Sequence, residues 1–192
     1  MARARATDTS ALVTAAALVF HTKGYHNATI DDIAEAAGIS RPTVYKYTRS
    51  KQHLLDLMVE QITAEMGRGI QAVLDSTEDP VERLRRLVRT HVDTAVANRT
   101  FYAIVLTEEL EVSEAGRLRF REWARGVTRE FERLIADCLA VHPSPPPVNT
   151  FITANLVLSM LTSLYRWYDP DGPVGPSGLT DEILNTLGAL VP

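Results

Sequence analysis

Apolar residues recur at helical spacing along nearly the whole chain, and one stretch organises the rest. Ile30, Ile33, Ala34 and Ala37 fall at i, i+3, i+4 and i+7, the pattern of a single buried helical face. Thr29 precedes them as an N-cap, and Asp32 stands where it can reach back as in a capping box. Gly38 stops this helix where positive φ is least costly, and Ile39 is the apolar plug of the turn. Ser40 then caps a second, short helix with Pro42 in its first turn, where a missing N–H has no intrahelical partner.

On either side the periodicity continues. Leu12, Ala16, Val19 and Phe20 line a helix over about residues 8–23, ended by Gly24. Ser50 caps a helix carrying Leu54, Leu57, Met58, Ile62 and Met66. Asp79 and Pro80 open another, to about residue 98, with Leu84, Leu87, Val88, Val92 and Ala95 inward. His91 sits near that face, and a core histidine with satisfied nitrogens is expected there rather than a ligand contact. Further helices are predicted over about residues 100–111, 113–141, 149–168 and 179–190. Between them, H-P-S-P-P-P-V (142–148) reads as an extended linker, and D-P-D-G-P-V-G-P-S-G (169–178) is turn chemistry. No strand pattern and no repeat emerges. The expected fold is all-α with about nine helices: a three-helix head over residues 1–52 and a helical bundle over 53–192.

Charge sharpens this picture. The 192 residues carry a net charge of −4, which by itself does not suggest nucleic acid. Residues 1–51, however, hold seven Lys or Arg against four acids, a local +3 that leaves −7 on the remainder. Over residues 41–51 the charged side chains are Arg41, Lys46, Arg49 and Lys51, with Tyr45 and Tyr47 between them. A helix, a four-residue turn and a basic second helix make a helix-turn-helix, whose second helix enters the DNA major groove. The plainer reading is a solvated helical pair; cap, glycine, plug and charge together favour the first.

The single Cys138 forms no internal disulfide, which fits a reducing cytoplasm and a buried apolar role. The apolar run after Arg3 and Arg5 mimics a secretory signal but ends at His21 and Lys23 without a small-residue cleavage site. The run over residues 148–165 contains Asn149, Thr150, Thr153, Asn155, Ser159, Thr162 and Ser163, too polar for a membrane span. Residues 1–7 read as a loose basic arm. The five histidines show no metal-ligand spacing, there is no nucleophile motif, and no cofactor is implied.

Three segments also carry a resemblance: A-A-A-L-V-F-H-T-K-G-Y (15–25), T-I-D-D-I-A-E-A-A-G-I-S (29–40) and R-P-T-V-Y-K-Y-T-R-S-K-Q-H-L-L (41–55). In this order they resemble the DNA-binding domain of the TetR family of bacterial transcription regulators, over about a quarter of the chain. The chain departs from the family at Thr48, where an aromatic residue, most often Phe, is usual. The positions matching the family's DNA contacts are Thr29, Ser40, Arg41, Thr43, Tyr45, Lys46, Tyr47 and Lys51. Ser40, Arg41, Thr43 and Lys46 suit the groove by reach and chemistry, with Arg41 expected on guanine. The resemblance implies that Thr29, Tyr45, Tyr47 and Lys51 grip phosphates.

One short helix contacts too few base pairs for specificity, so a homodimer on a roughly palindromic operator is expected. The last two helices carry apolar residues on more than one face: Phe151, Ile152, Leu156, Met160, then Ile183, Leu187 and Leu190. The family commonly dimerises through this pair, as a bundle shared by two chains. The resemblance also implies a small-molecule effector in the body, with Phe101, Tyr102, Phe120, Trp123, Phe131 and Tyr165 as candidate lining. S-L-Y-R-W-Y-D-P-D-G-P (163–173) is similar to fatty-acid and sterol-catabolism regulators that respond to acyl-CoA thioesters. A long apolar ligand with an acidic head is therefore the expected effector, with Arg89, Arg99 or Arg166 as cationic partners. Family habit favours repression. The competing readings are a ligand-independent DNA-binding protein of the same fold and an all-α enzyme acting on CoA esters.

Overall fold

The structure is a computed structural model that describes residues 8–142 and 148–188. The expected basic arm (1–7), most of the proline-rich linker (143–147) and Leu190 lie outside the described residues. No strand occurs among the described residues, as the periodicity predicts.

Local chemistry explains most helix ends. Asp8 caps α1 (Thr9–Lys23) by accepting from the Ala11 N–H at 2.8 Å. Thr29 and Asp32 cap α2 (Ile30–Ala37) reciprocally, the Thr29 hydroxyl accepting from Asp32 N and the Asp32 carboxylate from Thr29 N. Gly38 follows at φ 67°, a left-handed conformation that a side chain disfavours, and its N–H returns to the Ala34 and Glu35 carbonyls. Ser40 caps α3 (Arg41–Val44). Ser50 accepts from His53 N at the start of α4 (Lys51–Leu74), and Asp79 caps α5 (Pro80–Ala97) with proline in the first turn.

Three boundaries differ from expectation. The helix predicted over 100–111 is α6 (Arg99–Thr107) followed by a 3-10 turn, Glu109–Glu111. Glu108, Glu109 and Glu111 cluster where the helix dipole is negative, which disfavours continuing the α-helix. After α7 (Glu114–Val141), the helix expected over 149–168 divides into α8 (Thr150–Thr162) and α9 (Leu164–Trp167). At the break the Ser163 hydroxyl donates to the Met160 carbonyl at 2.8 Å, a local side-chain bond of the kind that competes with the helix ladder. Finally α10 (Pro176–Gly188) starts earlier than residue 179, because Pro176 is itself a good first helical residue.

The chain forms two compact units. The first joins the described residues up to Ile62 with Thr100–Phe120; the second joins Thr63–Arg99 with the described residues from Arg121 onward. In the first, α1 packs on α2 and α2 on α3, around Leu12, Ile33, Val44, Leu54, Leu55 and Met58, all fully buried. Each such side chain contributes about 1.5–3 kcal/mol. In the second, α5 packs against α8, α9 and α10, with Leu87, Val88, Phe131, Leu134, Ile135 and Leu161 as the fully buried centre.

Candidate nucleic-acid interface

The turn between α2 and α3 holds the short α3 with its polar side outward. Val44 is its one fully buried residue and pins it to the core, while Ser40, Arg41, Tyr45 and Lys46 are exposed and Thr43 is half-buried. The short helix expected after Ser40 runs from Arg41 to Val44 and continues as a turn in which Lys46 N donates to Thr43 O and Tyr47 N to Val44 O. Ser40 and Thr43 hydroxyls lie 2.8 Å apart, a ready donor and acceptor pair at the start of α3. Arg41 is held by Asp31, Nη1 to Oδ2 at 2.8 Å, with its guanidinium 5.9 Å from the Tyr45 ring. Among the described residues Lys46 has no side-chain partner, so its ammonium is free to meet an anion.

Behind α3 the supports are polar as well as apolar. Lys51 lies over the Tyr25 ring at 4.7 Å and donates to the carbonyls of Tyr25 at 2.7 Å and His26 at 3.2 Å. Thr48, where the resemblance leads one to expect an aromatic residue, is buried. Its hydroxyl donates to Ser50 O at 3.0 Å and lies 3.2 Å from His53 Nδ1, which accepts from Arg49 N. A small hydrogen-bonded cluster thus fills the junction between α3 and α4. Thr29 has its hydroxyl and N–H engaged by Asp32, and Tyr47 is half-buried.

Sequence reasoning missed the groups that act across distance: Asp31 on Arg41, Tyr25 under Lys51, His53 beside Thr48. It also missed Asp56 on α4, whose Oδ1 accepts from Ser113 N at 3.1 Å. Gln52 donates to Glu111 O and Arg119 pairs with Glu60, so residues 100–120 are tied to the start of α4. A carboxylate beside a basic recognition helix had a signal, since Asp31 follows a cap and needs no role in it; the other three had none.

The six aromatic residues expected to line an effector site are divided between the units. Phe101 and Tyr102 are buried in the first unit, where Phe120 lines a cleft with Val59, Val105, Leu106, Val112 and Arg117 of only about 10 Å³. In the second, Phe131 is fully buried, while Trp123 and Tyr165 are half-buried. A second-unit cleft of about 50 Å³ is lined by Val81, Leu84, Arg85, Cys138, Leu184 and Leu187. Drug-sized ligand pockets are roughly 300–1,000 Å³, so neither cleft is large enough for such a ligand as it stands. Burial, then Asp137, push the Cys138 thiol up to about 11, leaving it an inert core group. Arg99 Nε donates to the Tyr165 carbonyl at 3.3 Å and Arg166 Nε to the Tyr165 hydroxyl at 2.8 Å.

One expectation is corrected here. His91 is buried, but neither ring nitrogen has a hydrogen-bond partner, so it is not the satisfied core histidine that was expected. Of the residues expected at the dimer face, Ile183 and Leu187 are buried within their own chain, where α10 packs on α5. Phe151, Ile152 and Leu156 remain 57%, 54% and 62% exposed on α8, with Met160 half-buried on the same helix. Among the described residues no group of His, Cys, Asp and Glu is placed to hold a metal, and no helix is long and apolar enough to cross a membrane.

Residues 12–58 match the family described as bacterial regulatory proteins, tetR family. Residues 77–191, more than half of the chain, match the tetracyclin repressor-like, C-terminal domain. The chain is 31% identical over 98 residues to the HTH-type transcriptional activator FasR of Mycolicibacterium smegmatis, covering 51% of this chain and 45% of that protein. It is 22% identical over 175 residues to the HTH-type transcriptional repressor KstR2 of the same organism, covering 90% and 85%. Among solved structures, AibR in complex with isovaleryl coenzyme A and operator DNA matches with a TM-score of 0.77 at 21% identity, over 93% of this chain and 96% of that one.

Proposed function

Because this chain belongs to the TetR family of bacterial transcription regulators, we propose that it is a cytoplasmic, homodimeric repressor released from a palindromic operator by a largely apolar effector. The observation that carries the DNA-binding part is the outward face of α3, where Ser40, Arg41, Thr43 and Lys46 present donors on a helix pinned by Val44. Arg41 reads guanine bidentately. Tyr45, Tyr47 and Lys51 take phosphates, which set register without reading sequence, and Thr29 joins them when its hydroxyl turns from Asp32. The head over residues 1–52 does this work, and residues 53–192 bind effector and pair the chains. The apolar α8 face of Phe151, Ile152, Leu156 and Met160 supports that pairing.

An acyl-CoA thioester is the effector class this reading favours. AibR was solved with isovaleryl coenzyme A and operator DNA together, and Arg99 and Arg166 each bond Tyr165, one at its carbonyl and the other at its hydroxyl, leaving two candidate cations for a phosphorylated head. The effector acts by population shift: it changes operator affinity only by its differential affinity for two states, typically about 1–3 kcal/mol of coupling. α4, which starts in the first unit and ends in the second, carries the change.

The test is selection of duplexes from a random pool by the full-length protein, followed by titration of the selected complex with butanoyl-, dodecanoyl- and hexadecanoyl-CoA. A two-fold symmetric site is expected, with affinity falling about 5- to 150-fold for at least one thioester. A pool with no symmetric enrichment would remove the operator reading. A symmetric site indifferent to all three compounds would favour the second reading, a ligand-independent regulator, which the small size of the two clefts supports.

A further inference from the structure

His91 lies on the inward side of α5 with Leu84, Leu87, Val88, Val92 and Ala95 and is 3% exposed. The Phe131 ring of α7 meets its imidazole edge-on, with centroids 6.2 Å apart, and neither Nδ1 nor Nε2 has a hydrogen-bond partner. Burial pushes its pKa down to about 4, so near neutral pH one nitrogen carries a proton to donate and the other a lone pair to offer. Leaving such a group unpaired disfavours the folded state by about tenfold or more relative to an apolar side chain of similar bulk. Packing alone therefore gives no account of a histidine at this position.

Its surroundings say what a partner must be. A carboxylate or phosphate would bring bare charge among Val88, Val92 and Phe131, and a pure hydrocarbon would leave the imidazole as it is. Leu84 precedes His91 by seven residues on α5, and Cys138 follows Phe131 by seven on α7. Both Leu84 and Cys138 line the second-unit cleft. His91 is not itself part of that cleft's lining; it lies two helical turns, or about 10 Å, further along the same side of α5, beyond the buried Leu87 and Leu134.

We propose that His91 is the polar anchor of the effector site, its imidazole hydrogen-bonding an uncharged oxygen of an otherwise apolar ligand: a thioester carbonyl or an oxygen carried part-way along the acyl chain. This rests on the acyl-CoA reading above and narrows it. The anchor gives specificity, because a site built around a hydrogen bond rejects an analogue that lacks the matching atom.

The experiment is calorimetric titration of the full-length protein and its His91→Leu and His91→Gln variants with three probes. They are the tightest-binding of the three acyl-CoA thioesters, its S-alkyl-CoA thioether, which lacks the carbonyl, and its mid-chain keto derivative. His91→Leu is expected to weaken the oxygen-bearing probe by about tenfold or more, leave the thioether unchanged and melt no lower than the parent; His91→Gln recovers part of the loss. Loss on the simple thioester identifies the carbonyl, and loss confined to the keto derivative identifies a chain oxygen. Equal losses on all three probes, or none on any, overturn the anchor while the acyl-CoA reading stands. If the unsubstituted protein binds none of the probes, both readings fall.

Discussion

Asp31 and Asp32 are neighbours at the start of α2 with separate tasks. Asp32 closes the cap: hydrogen bonds from Lys23, then from the Thr29 N–H and hydroxyl, hold its carboxyl down to about 2. Asp31 instead reaches Arg41, occupying the guanidinium that is proposed to read guanine. Such exposed pairs are weak, so Asp31→Asn should tighten operator binding by no more than about fivefold in an anisotropy titration; weaker binding would count against Arg41 as a groove contact. Lys51→Ala should weaken binding about uniformly across sequences and flatten the salt slope by about one unit. Because Lys51 also ties α4 to the Tyr25 and His26 carbonyls, it should lower the melting temperature too. His91 adds a pH dependence. Its pKa near 4 in the folded chain, against about 6.5 unfolded, means that the unfolded chain takes up a proton the folded one refuses. Its neutral form is therefore fully tolerated above about pH 6.5, and stability declines as pH falls towards 4, by up to about 3 kcal/mol. Urea unfolding across that window checks this, and His91→Leu should remove most of the slope.

At the scale of elements, the short helices depend on local chemistry and the long ones on what they cross. α3 is a single turn and exists through Ser40 at one end and the buried Val44 at the other; isolated helices of that length do not form in water. The junction between α3 and α4 shows how a polar group replaces a ring, with Thr48 bonded to the Ser50 carbonyl and His53 to the Arg49 N–H where packing by an aromatic would otherwise fill space. The start of α7 approaches α4 so closely that a Cβ on Gly116 would stand 2.5 Å from Asp56 Oδ1 and 2.8 Å from Val112 Cγ1. Gly116→Ala must therefore displace the carboxylate that accepts from Ser113 N. The expected cost is about 1–3 kcal/mol, read as a lower denaturation midpoint, and an unchanged midpoint would show that Asp56 rotates away freely.

For the molecule as a whole, the unpartnered surface matters most. Phe151, Ile152 and Leu156 stand outward on α8, and two such faces from two chains would remove them from water together. Leu156→Arg should shift sedimentation towards monomer and, because two heads are needed on one operator, reduce operator affinity by more than any single head substitution. A variant that remains dimeric would move the interface elsewhere.

What the sequence determined was whatever a few neighbouring residues decide among themselves. Thr29 with Asp32, Gly38, Ser40 and the Asp79–Pro80 pair act over one helical turn, so helix starts, the head and the all-α class could be read from spacing. The resemblance then extended that reading to a family. The tertiary structure decided the rest. Arg41 meets Asp31 ten residues away, Lys51 meets Tyr25 twenty-six away and Ser113 meets Asp56 fifty-seven away, and no periodicity encodes such pairs. The same holds for His91 and for Ile183 and Leu187: apolar spacing shows which side of a helix is buried, but only the neighbouring helices decide whether a ring nitrogen finds a partner or which chain covers a side chain.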